Sequence, residues 1–172
     1  AEGSVGMASG DNVVQVLDIM PPATLYATPD FRAGGSTPAE NVMVWDFDDS
    51  STEYLDFKCK LEGYGGGGLT FTQVWSATSA TTGLTDWEIG IRAFPDDAED
   101  VDSSHTYAYN VNSVAPGSAA GEPVYDTITF TDGADMDSWA EAAVAIVRIR
   151  RNTATDTMVG DAELWALFGL ET

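Results

Sequence analysis

Hydrophobic and polar residues alternate along three consecutive stretches of the chain between Thr52 and Phe94. Side chains of a β-strand point to opposite faces in turn, so this alternation predicts three strands, each with one apolar and one polar face. The glycine-rich segment 63–68 predicts a loose turn between the first two, because serial glycine loses too much backbone entropy in a helix. The predicted apolar faces carry Leu55, Phe57, Cys59 and Leu61, then Leu69, Phe71 and Trp75, then Trp87, Ile89 and Ile91.

Shorter patterns of the same kind lie on both sides of this centre. The segment from Pro29 to Pro38 is predicted to be a loop, because it is rich in proline, glycine and serine. The only helical candidate is 132–143, where Asp132 or Asp135 would cap the first turn. Eight to ten short strands with one short helix predict an all-β fold, a sandwich or a barrel. The flanking strands are predicted over 13–19, 42–47, 106–114, 124–130, 144–149 and 162–170.

The chain of 172 residues is expected to form one domain at 13–172, preceded by a flexible N-terminal arm at 1–12. The arm is either disordered or becomes ordered against a neighbouring subunit. The domain is expected to consist of two packed antiparallel sheets. Their predicted core contains Leu55, Phe57, Leu69, Phe71, Trp87, Ile89, Ile91, Ile128, Phe130, Val147, Ile149 and Leu164.

The net charge of −21, from 28 acidic and 7 basic residues, narrows the possible partners. A strongly negative protein repels phosphate, so we expect neither a nucleic-acid partner nor an anionic membrane surface. The single cysteine, Cys59, excludes a disulfide framework and is expected to be a buried free thiol. No apolar run approaches the roughly 20 residues of a membrane span. Residues 1–12 lack the basic start and apolar run of a secretory signal, so synthesis in a cytoplasm is expected.

Candidate catalytic groups are few, and the sequence predicts that the protein is not an enzyme. His105 is the only histidine, the GxSxG motif is absent, and Cys59 is expected to be buried. One histidine and one cysteine are too few for the usual zinc sites, so no cofactor or metal is predicted. A glycosidase with two carboxylates stays an alternative because acids are abundant. Three acidic clusters are either solvated loops or contributors to calcium sites: Asp46, Asp48 and Asp49; Asp96, Asp97, Glu99, Asp100 and Asp102; Asp132, Asp135 and Asp137.

Aromatic residues are the remaining signal, because exposed tryptophan and tyrosine rings can act as flat platforms for sugars. Alternation places Trp45, Trp75 and Trp87 toward the core. Trp165 is the best candidate for an exposed or interfacial tryptophan, followed by Tyr64 in the glycine loop and by Tyr107 and Tyr109. The alternative is that these rings pack in the core or between subunits.

Four segments resemble a widespread type of structural protein of tailed bacteriophages, small acidic β-sandwich proteins encoded among head and tail genes. The resemblance covers roughly 13–172 and implies a jelly-roll-like sandwich that binds the outside of a virion or forms a fibre. It implies no catalytic residues. The segments are YLDFKCKLEGYGGGGLTFTQVWSATSATTG, PDDAEDVD, YDTITFTDGADMDSW and IRRNTATDTMVGDAELW.

The resemblance leads to two functional expectations. The first is a capsid decoration or cement protein, a homotrimer on the virion surface that is made in the bacterial cytoplasm and binds the major capsid protein. Its contact candidates are Phe31, Arg32 and Trp165. The alternative is a carbohydrate-binding or receptor-binding module of a phage fibre, with Tyr64, Tyr109 and Trp165 as sugar platforms. A row of exposed aromatic rings on one face would favour the alternative.

Overall fold

A computed structural model describes residues 10–172, so the first nine residues of the predicted arm lie outside the described residues. The described chain contains ten β-strands and one three-residue 3-10 helix, Ala134–Met136. The strands are β1 (Val14–Met20), β2 (Thr28–Ala33), β3 (Asn41–Phe47), β4 (Glu53–Leu61), β5 (Leu69–Ala77), β6 (Thr85–Phe94), β7 (Tyr109–Val114), β8 (Val124–Phe130), β9 (Val144–Arg151) and β10 (Ala162–Glu171).

The strands form two five-stranded sheets that pack face to face. Sheet 1 has the order β1-β4-β9-β6-β7, sheet 2 has the order β2-β3-β10-β5-β8, and all of these pairs are antiparallel. Strands β3 to β10 are arranged in the eight-stranded jelly-roll order, with β3-β10-β5-β8 in one sheet and β4-β9-β6-β7 in the other. Strands β1 and β2 extend the two sheets on the same side. The expected antiparallel jelly-roll sandwich is therefore confirmed.

The core lies between the sheets, and all twelve residues that the sequence assigned to it are buried. At its centre the Trp87 ring packs edge-on against Phe47 at 5.0 Å and against Trp75 at 5.8 Å. Cys59 is also buried, and burial raises the pKa of its thiol to about 12. Trp45 was expected in the core as well, but it is only partly buried against it, because it lines an open groove.

The predicted loop from Pro29 to Pro38 is wrong in its first half, which forms most of strand β2. Among the described residues this strand pairs with β3 alone, in a register that places Pro29 opposite Trp45. Proline lacks a backbone N–H and is tolerated in a strand whose outer edge has no neighbour. Composition therefore indicated a loop where the pairing with β3 produces an edge strand.

The helical segment is much shorter than the predicted 132–143. It is confined to the 3-10 turn, and Asp137 and Ser138 that follow have φ angles of 53° and 55°. Left-handed backbone ends a helix. The Asp137 carboxylate accepts the N–H of Ala93 at 2.8 Å, which ties this turn to the end of β6.

The glycine loop holds the carboxylate of Glu171 at the end of β10. The N–H of Gly65 donates to both carboxylate oxygens at 2.9 and 3.0 Å, and the N–H of Gly67 donates to one at 2.9 Å. A Cβ atom at position 67 would lie 2.9 Å from the Thr172 carbonyl oxygen, so glycine is needed for this close approach. Successive backbone amides around an anion form the arrangement known as a nest. Here the anion is part of the protein.

Arg151, the last residue of β9, is completely buried. Its guanidinium forms an ion pair with Asp156 at 2.7 Å. It also donates to the backbone carbonyls of Phe47, Met158 and Gly160 at 3.1, 2.9 and 2.9 Å. A buried charge is tolerated only when it is paired and hydrogen-bonded. Arg151 therefore joins β9, the end of β3 and the loop before β10.

Candidate functional site

Strands β1 and β2 form edges of the two sheets, and we call the side of the sandwich where inward-facing side chains of β1, β2 and β3 stay exposed the open side. Strand register places four apolar side chains of this side toward the interior between the sheets. They nevertheless stay exposed, because no strand within residues 10–172 covers them. Their exposed fractions are 41% for Val16, 38% for Ile19, 66% for Phe31 and 51% for Met43.

An apolar groove of about 270 Å³ runs along the open side. Its walls come from β1, β3, β4 and β10, and it reaches down to residues of the core. The lining residues are Val16, Ile19, Trp45, Phe57, Leu164, Trp165, Ala166 and Leu167. Monomeric proteins rarely expose a continuous apolar surface of this kind unless it binds something.

The edge of β1 adds further apolar surface beside the groove. This strand pairs with β4 on one side, and in the described part of the chain no strand pairs with its other side. Leu17 and Met20 are both exposed, and Leu17 lies at an irregularity in the register between Val16 and Asp18. An exposed edge with apolar side chains is a template for pairing with another strand.

The open side is also poor in charge compared with the rest of the protein. Asn12 to Trp45 contains three acidic residues, Asp18, Asp30 and Glu40, and one basic residue, Arg32. The other residues carry almost all of the net charge of −21. A protein surface would therefore meet less electrostatic repulsion here than elsewhere.

The predicted contact residues Phe31 and Arg32 lie in the edge strand β2 but differ in exposure. The Phe31 ring is largely free. The Arg32 guanidinium instead binds Glu163 at 2.6 Å, and a Cβ atom at Gly121 would lie 2.4 Å from it. Phe31 is therefore available to a partner, whereas Arg32 joins β2 to β10.

Trp165, predicted to be exposed or interfacial, is partly buried at a bulge in β10. Its indole N–H donates to Ser76 Oγ at 2.9 Å, and Ser76 donates to the carboxylate of Glu163 at 2.9 Å. Since Glu163 also binds Arg32, one hydrogen-bond network joins strands β2, β5 and β10. The ring is fixed in position and contributes to the wall of the groove.

Asp46 lies opposite Glu163 of this hydrogen-bond network, in an unusually acidic environment. Burial, followed by the charges of Asp161, Glu163, Asp30 and Glu53, raises its pKa to about 6 from 3.8. Its Oδ1 atom is buried and has no hydrogen-bond partner among residues 10–172. The ionised form of Asp46 is therefore disfavoured in the folded protein.

We predict that Asp46→Asn stabilises the protein at about pH 7.5 and loses most of this effect at about pH 4. The folded-state pKa lies above the unfolded-state pKa, so the folded protein binds more protons between them, and stability falls as the pH rises through that window. Urea unfolding at both pH values measures the difference. Asp102→Asn, which removes an exposed acid, is the matched control. An equal gain in both variants at both pH values would show only a general effect of net charge.

Tyr109, a predicted sugar platform, lies on the outer face of sheet 1 under an arginine. The Arg150 guanidinium is 3.8 Å from its ring centroid, and Tyr107 stacks beside it at 5.8 Å. Burial raises the pKa of the Tyr109 hydroxyl to about 12. Arg148 lies over Tyr107 at 4.6 Å. The ring face of Tyr109 is thus already occupied by a cation–π contact.

This outer face of sheet 1 carries five of the seven basic residues: Lys58, Lys60, Arg92, Arg148 and Arg150. Its arginines are paired with acids. Arg148 binds Asp56 through two hydrogen bonds of 2.6 Å, and Arg150 binds Glu88. The face is a network of ion pairs and aromatic rings.

Tyr64, the other predicted platform, lines a cleft of about 560 Å³ beside the glycine loop. Its hydroxyl donates to Asp132 at 2.7 Å and accepts the N–H of Gly68 at 2.9 Å. Burial and the bond to Asp132 raise its pKa to about 12. Tyr64 is at an end of the sandwich, Tyr109 on sheet 1 and Trp165 on sheet 2. The three predicted platforms therefore do not form one row.

The predicted acidic clusters are largely engaged in local hydrogen bonds. Asp135 accepts from Thr131 and Asn110, Asp48 accepts from Ser50, and Glu99 binds Arg92. Among the described residues, no group of three or more histidine, cysteine, aspartate or glutamate side chains is arranged to hold a metal ion. His105 packs edge-on against Tyr107 at 4.9 Å.

Sequence reasoning missed the open side and one exposed aromatic residue, Tyr125. The ring of Tyr125 is 69% exposed on the outer face of sheet 2. The alternation in β8 contains this signal. Ile128 and Phe130 point inward, and Tyr125 is an odd number of residues away from each of them, so its side chain points outward. The exposure of Val16 and Ile19 has no comparable signal, since their pattern is that of core residues.

Comparison with known proteins finds one distant structural likeness. No protein-family model and no curated protein matches the sequence. One similar solved structure is that of TmCBM61 in complex with β-1,4-galactotriose. Its TM-score is 0.38 at 6% identity, with 90% of this chain and 88% of that chain covered. In the described part of the chain, no helix is long and apolar enough to cross a membrane.

Proposed function

We propose that this protein is a virion structural protein that decorates the outer shell of a tailed bacteriophage and stabilises it by binding other protein subunits. The observation that supports this proposal most strongly is the open side, where apolar side chains from β1, β2 and β3 are exposed in a protein of net charge −21. Such a surface is suited to burial against protein. The resemblance to phage structural proteins is the reason for proposing the virion shell as the partner.

The charge distribution suits this role. Negative charge over most of the surface favours the outside of a shell over its DNA-lined interior. The charge-poor open side and the exposed Phe31 ring can then contact a major capsid protein. Many copies on a repeating lattice hold through avidity even when each contact is weak.

The first test is to purify particles of the phage that encodes the chain on a density gradient and to identify their proteins by mass spectrometry. We expect the chain in the particle band at a fixed ratio to the major capsid protein. Its absence from the particles overturns the assignment.

The second test measures rebinding to particles from which the chain is absent. We expect Phe31→Ser to reduce the association constant for the particles by at least about tenfold, the equivalent of roughly 1.4 kcal/mol. Val111→Ser, at an exposed valine of the opposite edge strand β7, is the matched control and should bind as the unmodified chain does. Equal binding of both variants would show that β2 is not the attachment surface.

Carbohydrate binding is the second candidate function, and one observation favours it. Tyr125 is exposed on the outer face of sheet 2, and the indole N–H of Trp165 reaches Ser76 on that same face. Strand β5 separates the two aromatic residues. Its Val74 pairs with Tyr125 of β8 on one side and, on the other, with Ala166 of β10, the residue after Trp165. An aromatic ring with polar neighbours is suited to stacking on a sugar.

A glycan array with the unmodified chain and with Tyr125→Ala tests this second function. Binding that the substitution abolishes would support a sugar site on sheet 2. Tyr109→Ala is the control on sheet 1. If the array shows no binding, the carbohydrate function is rejected and the proposal of shell decoration is unaffected.

A further inference from the structure

We propose that two copies of this chain associate through their β1 edges, by antiparallel strand pairing about a two-fold axis. The inference concerns the part of the open side formed by β1 and does not depend on the virion assignment. Its occupant is a second copy of the same chain. It rests on the pattern of faces along β1, on the groove behind it and on the charges beside it.

The pattern of faces along β1 is self-complementary. Val16 and Ile19 pair with Cys59 and Phe57, whose side chains are buried, so both point toward the interior between the sheets. Gln15 and Met20 pair with residues of the opposite, outer face. Residues that oppose each other in an antiparallel pair share a face. A register that places Val16 opposite the partner's Ile19 also places Gln15 opposite the partner's Met20, so both pairs match.

This register is symmetric, as a two-fold interface requires, because the same pairs occur twice. The axis passes between Leu17 and Asp18. Strand pairing of this kind would give the outer-edge N–H and C=O groups of β1 hydrogen-bond partners and would remove the exposed edge. The N–H of Ile19 already donates to Asp18 Oδ1 at 2.9 Å, so this amide has a partner with or without a second copy.

The groove supplies apolar contacts for the same pairing. The inward side chains of a strand added to β1 extend sheet 1 over the uncovered residues of sheet 2. The partner's Val16 and Ile19 would then share the apolar surface formed by Val16, Ile19, Trp45 and Leu167 of the first copy. Both grooves are covered at once, since the contact is symmetric.

The charges beside β1 are compatible with two copies in contact. Asp18 lies 3.6 Å from Lys58 of the neighbouring strand, and both side chains are about half exposed. In the proposed register the two Asp18 carboxylates are the charged groups nearest the axis, and each keeps its Lys58 partner within its own copy. The remaining repulsion between two chains of −21 is screened by salt. Association is therefore expected to strengthen as the salt concentration rises from low values.

Sedimentation equilibrium of the full chain, from about 1 to 100 μM, tests the oligomeric state over the range of weak to moderate affinities. We expect the mass of a dimer at the upper end, in place of the homotrimer that the sequence analysis expected. Ile19→Asp should reduce the association constant by at least about tenfold. Val111→Asp, the same change on the far edge strand, should leave it unchanged. A monomer at all concentrations, or a trimer, overturns the proposal.

Cysteine cross-linking tests the register without relying on affinity. A chain with both Gln15→Cys and Met20→Cys is expected to form disulfide-linked dimers on mild oxidation, because the two positions oppose each other across the axis. Either substitution alone should not cross-link, since five residues along a strand separate the identical positions by about 17 Å. Native Cys59 is buried and does not interfere. Equal cross-linking by the single variants would overturn the register, and circular dichroism confirms that each variant is folded.

Discussion

Arg151→Met is expected to lower the free energy of unfolding by about 3–5 kcal/mol, because it removes one partner of a buried ion pair. The side chain of Asp156 is only 3% exposed and would be left without its guanidinium partner. The carbonyls of Phe47, Met158 and Gly160 would lose their donor at the same time. Unfolding in guanidinium chloride, followed by tryptophan fluorescence, measures the loss.

The double substitution Arg151→Met with Asp156→Asn identifies the cause. It removes the unpaired charge, so we expect it to be more stable than Arg151→Met alone even though it contains one more change. Lys60→Met, at an exposed position, serves as the surface control and should change stability by less than about 0.5 kcal/mol. If the double variant is as unstable as the single one, unpaired charge is not the reason for the loss.

Phe71→Ala is expected to destabilise the protein by about 3–5 kcal/mol through the cavity that it leaves. Phe71 is 1% exposed and packs edge-on against Phe130 at 5.7 Å. The position of Gly169 opposite its ring shows how tightly this layer is packed, since a Cβ atom there would lie 3.0 Å from Phe71 Cε1. Surrounding structure relaxes only partly around a lost core side chain, so a cavity is left.

A fall of the melting temperature by roughly 6–20 °C corresponds to this loss for a chain of this size. Thr129→Ala, on the exposed face of β8, is the matched control and should change the melting temperature little. An unchanged melting temperature for Phe71→Ala would contradict the burial of this side chain and the register of β5.

The sheet core could be predicted from the sequence because alternation is a local signal. Leu55, Phe57 and Ile89 each stand in a stretch with a period of two, and each is buried. Pro29 could not be assigned from its neighbours, since only the pairing of β2 with β3 makes its position a strand. Pairing partners depend on residues far away in the chain, and composition contains no information about them.

The open side could not be predicted from the sequence, because its residues have the alternation of a buried strand. Val16 and Ile19 have the pattern of core residues and point to the interior, yet they are exposed because they line an open groove. Arg32 is a charged residue in a segment of loop composition, and the sequence did not indicate its bond to Glu163, 131 residues away. Exposure is a property of the assembled sheets, whereas alternation reports only which face a residue occupies.

The position of β10 in the middle of sheet 2 has a consequence for the order of folding. Strands β3 and β5 each pair with β10 and not with each other, although β10 follows both of them in the chain. Until β10 is inserted, two neighbouring strands of the sheet have unpaired edges, and contacts of such long sequence separation form slowly. Exposed edges of that kind invite aggregation during folding. The mutual repulsion of chains with a net charge of −21 keeps them apart during this interval, so the acidic composition protects the protein before it is folded.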